Sequence, residues 1–210
     1  MENAGRNLAH LARGRFLNGD PTNQQVVVLA GTGGNGGGAL VCARRLHNYG
    51  AQVAVYLTAA DAQFTPIPGH QLGILRRMGV AVHPAEGIAT QAEPALVIDG
   101  VIGYSLKGAP HGQAATLIRW ANASRAPILA LDAPSGVDTT SGTVYDPAIN
   151  ATATLTLALP KEGLRAPGVE AQVGELYLAD ISVPPELYAN PQLRLSVGNI
   201  FAAGDIIRLY

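Results

Sequence analysis

A chain of 210 residues, 48% apolar and only 14% charged, can bury a large core as one α/β domain or two small ones. Its net charge of -1 leaves no electrostatic footprint for nucleic acid or an anionic membrane, so neither is expected as a partner. The single cysteine, Cys42, excludes an intramolecular disulfide and points to a reducing, cytoplasmic compartment.

The first residues, Met1-Glu2-Asn3-Ala4-Gly5-Arg6, carry no apolar signal core, and no stretch approaches the length of a membrane span. Met1, Ala4, Leu8, Leu11 and Ala12 fall on one face of an amphipathic helix, with Arg6, Arg13 and Arg15 outward. Asn18-Gly19-Asp20-Pro21 is a turn cluster. It leads into Val26 to Leu40, VVVLAGTGGNGGGAL: a β-branched strand, a loop almost without side chains, then a helix continuing through Leu46. Cys42 sits in that helix between Val41 and Ala43 and reads as packing. Gly31-Thr32-Gly33-Gly34-Asn35-Gly36 fits GxGxxG, and a helix N-terminus behind such a loop favours an anion such as a diphosphate. The same loop could be only a tight strand-to-helix turn.

Asn48-Tyr49-Gly50 closes the helix, and Gln52 to Leu57 is the second strand. That strand ends in Thr58-Ala59-Ala60, without the acid that binds ribose hydroxyls in dehydrogenases; Asp61 comes late. Residues Ala62 to Pro68 read as a loop with two prolines, His70 to Met78 as a helix stopped by Gly79, and Gly79 to His83 as a third strand. Pro94 to Asp99 and Pro127 to Asp132 are buried strands, each ending in a carboxylate, separated by a helix over Gln113 to Ala123. Two further strands span Ala153 to Leu159 and Glu175 to Asp180; the tail from Asn190 to Tyr210 has no clear pattern. Strands alternating with helices predict a mostly parallel sheet covered on both faces, in one domain over residues 1–210.

In open parallel sheets, ligands bind outside the carboxyl ends of the strands. There the chain places Asn35 in the glycine loop, Asp99, and Asp132 with Ser135 three residues on. Carboxylates abutting apolar strands call for hydrogen bonds, partners or a cation. Either acid alone could simply cap its loop. Together with Asn35 and Ser135 they make an oxygen-only set suited to a hard cation and not to zinc. His10, His47, His70, His83 and His111 show no metal-ligand spacing, and Ser135 lacks the GxSxG elbow. Lys161, after the strand ending at Leu159, either faces the same crevice or is a solvated turn lysine. The loop carrying Tyr104, Lys107 and Gly108 either closes over a ligand or is a flexible crossover.

These segments together resemble the YjeF N-terminal domain family, whose enzymes are NAD(P)HX epimerases. The resemblance runs from Met1-Glu2-Asn3-Ala4-Gly5-Arg6 through the glycine loop, similar to G-P-G-N-N-G-G-D-G-L. It continues in Asp99-Gly100-Val101-Ile102-Gly103, similar to D-A-[IL]-[FL]-G, and Asp132-Ala133-Pro134-Ser135-Gly136-Val137-Asp138, similar to D-x-P-S-G-x-[DN]. Leu159-Pro160-Lys161-Glu162-Gly163 and Gly174 to Ile181 resemble the closing strands. The resemblance implies a Rossmann-like three-layer α/β/α sandwich, commonly dimeric, that interconverts R and S forms of hydrated NADH or NADPH for a separate, S-specific dehydratase. It implies one potassium ion per subunit, held by Asn35, Asp99 and Ser135. Gly34, Asn35, Gly36, Gly37 and Gly38, the loop Gly103, Tyr104, Ser105, Leu106, Lys107, Gly108 and Ala109, and Asp132 would contact the dinucleotide. Asp132 would be the catalytic acid and base, assisting loss of hydroxide to a ring iminium and return of water on the other face.

Three positions depart from the family loop. Thr32 replaces Pro, Gly34 replaces the first Asn, and Gly38 replaces Asp, so the loop could be wider or bind something else. Two other functions are therefore weighed: a divergent binding or scaffold module on the same fold, and an ordinary NAD-dependent oxidoreductase. The missing ribose-binding acid and the D-x-P-S-G motif argue against the second.

Overall fold

A computed structural model describes residues 1–210. One eight-stranded sheet runs through the molecule in the order β3-β2-β1-β4-β5-β6-β7-β8. Its strands are β1 (Gln25–Ala30), β2 (Gln52–Leu57), β3 (Ala81–Pro84), β4 (Leu96–Gly100), β5 (Ile128–Leu131), β6 (Ala153–Leu157), β7 (Glu175–Ala179) and β8 (Ile206–Arg208). All neighbours pair in parallel except β7 with β8. The chain leaves β1 for β2 and β3 on one side, then returns to place β4 against β1 on the other. That reversal opens a crevice at the carboxyl ends of β1 and β4.

Helices cover both faces, as β-branched strands without polar alternation require. Successive residues of β1 divide between two cores. Val26 and Val28 join Leu8, Leu40, Leu46 and Leu72, contributed by α1 (Glu2–Leu11), α2 (Gly34–Asn48) and α3 (Pro66–Arg77). Val27 and Leu29 face Leu117, Ile118 and Ala121 of α4 (Gly112–Ala123). A smaller cluster of Ala133, Val137, Leu164, Val169, Val173 and Leu176 sits under the crossover from β5 to β7. It includes the short α5 (Glu170–Val173).

The N-terminal helix is tied to the far end of the sheet. Asn7 is fully buried and its Nδ2 donates to the Asp180 carbonyl at 2.7 Å, while Asn3 donates to Ser182 Oγ at 2.8 Å. Gly5 permits α1 to cross α2 closely: a Cβ there would lie 2.5 Å from the Gly38 carbonyl oxygen. Arg6, expected to look outward, is half-buried and pairs with Asp205 at 2.9 Å, because the C-terminal segment folds back beside α1.

Several boundaries differ from the sequence expectation. The helix α3 begins at Pro66, so the proline-rich stretch is its first turn, where a missing N–H breaks no helical bond. The third strand starts two residues later, at Ala81, after a left-handed turn at Gly79. The unassigned tail supplies the antiparallel β8, following the short α6 (Pro185–Ala189). A π-helical turn, Ala12–Phe16, extends α1.

Candidate active site

The crevice floor is built from β4 and β5. Asp99 lies in β4 opposite Leu29 of β1 and Ala130 of β5, with no exposed surface. Its Oδ1 accepts from the Val101 N–H at 3.1 Å and from Ser135 Oγ at 2.6 Å, and its Oδ2 from the Ser135 N–H at 2.8 Å. Burial pushes the Asp99 carboxyl up to about 6, against these three bonds, which favour the ionised form. Ser135, also fully buried, accepts from the Ile102 N–H at 2.8 Å, so one hydroxyl joins the loops after β4 and β5.

Asn35 stands in the first turn of α2, behind the extended Gly33, which has no side chain to cap the helix. The leading N–H groups of α2 are left to a ligand. The Asn35 amide packs on Gly103, where a Cβ would lie 3.1 Å from Oδ1. Its Nδ2 is buried without a hydrogen-bond partner. Asn35, Asp99 and Ser135 thus all meet the segment from Asp99 to Gly103. An orphaned amide end and two buried oxygen side chains, all meeting this one segment, suit a hard cation: turning the amide would present an oxygen instead. No group of three or more His, Cys, Asp and Glu side chains that could hold a metal ion forms anywhere in the chain, this site included.

Asp132 follows β5 and is 5% exposed. Its φ of 66° lies in the left-handed region, which Asp tolerates better than most residues, and its N–H donates to the Leu155 carbonyl at 2.8 Å. Lys161 Nζ donates to Asp132 Oδ1, to Thr156 Oγ1 at 3.0 Å and to the Leu157 carbonyl at 2.8 Å. Lys161 therefore holds a crevice residue, Asp132, without lining the cavity itself, and is not a solvated turn lysine.

A cavity of about 270 Å3 lies over these groups, lined by Met1, Ala4, Gly34, Asn35, Gly103, Tyr104, Ser105, Leu131, Asp132, Leu157 and Ile181. It joins six of the expected site residues: Gly34, Asn35, Gly103, Tyr104, Ser105 and Asp132. Gly36, Gly37 and Gly38 lie beneath it, buried in α2. Asp99 and Ser135 form the floor and do not line the cavity. Leu106, Lys107, Gly108 and Ala109 lie further along the loop and do not reach its walls. Met1, Ala4, Leu131, Leu157 and Ile181 are lining residues that sequence reasoning did not single out. Only the β5-D-x-P-S-G junction could have pointed to Leu131. A larger cavity, about 470 Å3, lies within the C-terminal segment and is separate from these groups.

The Gly38 departure does not widen the loop. A Cβ at position 38 would meet Leu131 Cδ2 at 2.6 Å, so a core leucine fills the space, whereas a Cβ at Gly34 meets nothing within 4 Å. The late acid Asp61 is bound at both oxygens by Arg76, each at 2.7 Å, and is committed away from a ribose.

Residues 1–163 match the family described as YjeF-related protein N-terminus. The chain belongs to this family. As a YjeF-related domain it is 43% identical, over all 210 residues and 82% of the relative's length, to an NAD(P)H-hydrate epimerase of Dehalogenimonas lykanthroporepellens. It is 37% identical over 195 residues to a bifunctional NAD(P)H-hydrate repair enzyme of Pyrobaculum aerophilum, of which it spans 38%. Among solved structures, the yeast protein ynu0 superposes with a TM-score of 0.79 at 24% identity, covering 99% of this chain and 88% of that one. That likeness is one of fold, an α/β architecture with a mostly parallel sheet. No helix of this domain is long and apolar enough to cross a membrane.

Proposed function

We propose that this YjeF-related domain is an isomerase, an NAD(P)H-hydrate epimerase that interconverts the R and S forms of hydrated NADH and NADPH. The observation that carries the reading is Asp132, the one charged side chain lining a cavity that opens at the uncapped N-terminus of α2. Identity of 43% over the whole chain to a relative of that name supports it.

The dinucleotide diphosphate fits the free N–H groups of α2, with Gly34 leaving the approach open. The hydrated ring then lies over Asp132, Leu131 and Leu157, beneath Tyr104. Epimerisation needs the ring hydroxyl to leave as water after taking a proton, while the nitrogen lone pair forms a C=N iminium. Water adds to the opposite face and gives up one proton, so the balance closes. The Asp132 oxygen not bound to Lys161 would carry that proton and face the transient cation.

Potassium is part of this reading. Asn35, Asp99 and Ser135 would hold it, and it would supply positive charge under the diphosphate end of the site. So are a homodimer, a cytoplasmic location and coupling to a separate dehydratase specific for the S form. Bifunctional relatives spanning more than twice this chain's length support the coupling.

The test is recovery of NADH from R-NADHX in the presence of an S-specific dehydratase, with and without potassium. Acceleration over the spontaneous rate, lost in Asp132→Asn, is the expected result. A folded protein without acceleration would leave a divergent binding module, the second reading, which rests on Gly34 and Gly38.

A further inference from the structure

The Lys161 side chain is unusually committed. Its ammonium has three donors, and all three are spent inside the protein: on Asp132 Oδ1, Thr156 Oγ1 and the Leu157 carbonyl. Thr156 is fully buried, and Lys161 itself does not line the cavity. The lysine thus bonds Asp132 from outside the cavity lining. It leaves Asp132 Oδ2 as the carboxylate oxygen without a protein partner.

The charge arrangement matters more than the hydrogen bonds. Of the residues lining the cavity, Asp132 has the only charged side chain; no arginine or lysine does. Without Lys161 the Asp132 carboxylate would lose its only side-chain cation, next to Ala4, Leu131, Leu157 and Ile181 in the cavity wall. Such a group selects cations. The oxidised nicotinamide ring is a cation, whereas the reduced and the hydrated rings are neutral. An unpaired Asp132 would therefore favour the intact oxidised dinucleotide, which differs from the neutral forms chiefly in ring charge.

We propose that Lys161 is a positioning and specificity residue: it holds Asp132 with one oxygen free and offsets its charge, so that the cavity does not favour the pyridinium ring of NAD(P)+ over neutral rings. The proposal rests on the reading that the nicotinamide end of the dinucleotide lies over Asp132.

The test compares binding of NAD+ and NADH, which share every feature except the ring, to wild type, Lys161→Met and Lys161→Arg by titration calorimetry. Circular dichroism and thermal melts verify that each variant is folded, with Lys161→Gln as the substitute should Lys161→Met not fold. In Lys161→Met the ratio of NAD+ to NADH affinity is expected to rise by about 10-fold or more, as for a desolvated carboxylate close to a cation. Lys161→Arg, which keeps the charge, is expected to keep the wild-type ratio. A purely structural lysine would weaken both ligands together and leave the ratio unmoved. A folded Lys161→Met protein with an unchanged ratio overturns the role of Lys161 and leaves the epimerase reading standing. A wild type that binds neither dinucleotide but accelerates recovery of NADH from R-NADHX overturns the role of Lys161 and leaves the epimerase reading standing; failure of both measurements removes both readings.

Discussion

Leu131 occupies the space where a side chain on residue 38 would begin: a Cβ on Gly38 would lie 2.6 Å from Leu131 Cδ2. Both residues are buried, Leu131 being 1% exposed, but Leu131 also lines the cavity, so its Cδ2 can give way only toward that space. The pair explains how the chain accommodates the loss of the acid found there in the family loop. Gly38→Asp is expected to destabilise the protein by about 2–3 kcal/mol, from overpacking and a buried carboxylate. The double variant with Leu131→Val should recover part of that loss. Urea unfolding of the two variants checks it.

Ser135→Ala removes two bonds at once, leaving Asp99 Oδ1 with one fewer donor and the Ile102 N–H without its acceptor. The expected loss is about 2–4 kcal/mol, since each buried group left unsatisfied costs about 1–3 kcal/mol. A lower urea midpoint with an unchanged slope would show it. A shift under 0.5 kcal/mol would contradict the network.

Cation binding by Asn35, Asp99 and Ser135 predicts that potassium raises the melting temperature, by about 2–4 °C per kcal/mol of binding energy for a chain of this size. Sodium at equal ionic strength controls for screening. In Asn35→Ala the potassium effect should disappear while the melt in sodium changes little.

Glu175 gives a pH signature remote from the crevice. It accepts from Arg15 Nε and Nη2 at 3.1 and 3.0 Å and from the Tyr177 hydroxyl at 2.7 Å. The Arg15 bond foremost, then the tyrosine, holds its carboxyl down to about 2 from an ordinary 4.5. A depressed carboxyl stabilises the fold above its unfolded value, and the contribution disappears as pH falls from 4.5 toward 2. The Glu175 side chain is 23% and the Arg15 side chain 44% exposed, so screening limits the effect to about 1 kcal/mol. Glu175→Gln should be less stable than wild type by that amount at pH 7, with the difference vanishing near pH 2. Paired urea titrations across pH check it.

What the sequence made legible follows from locality. The glycine loop, the two apolar strands ending in Asp99 and Asp132, and the alternation implying a parallel sheet are written in contiguous residues. So the carboxyl-edge crevice is legible in the sequence. The start of α3 was misread because Pro66 and Pro68 are loop residues by composition, although a first helical turn accepts proline. Strand β8 is only three residues long and gains its partners from Tyr177, Leu178 and Ala179, far away in the chain. No local pattern announces it. The alternatives for Lys161 were settled by its three acceptors, and the Gly38–Leu131 relation spans 93 positions; both are products of packing.

The single hydroxyl of Ser135 links Ile102 to Asp99, while two residues further on Tyr104 is 76% exposed. The loop after β4 is therefore fastened at its root and loose at its tip. In deuterated solvent the Ile102 amide should exchange only when the whole domain opens, and the amides of Ser105 and Lys107 almost at once. A ligand arriving under Tyr104 would then slow the tip without altering the root. The loop would act as a door on a fixed jamb, its opening rate set apart from the stability of the fold.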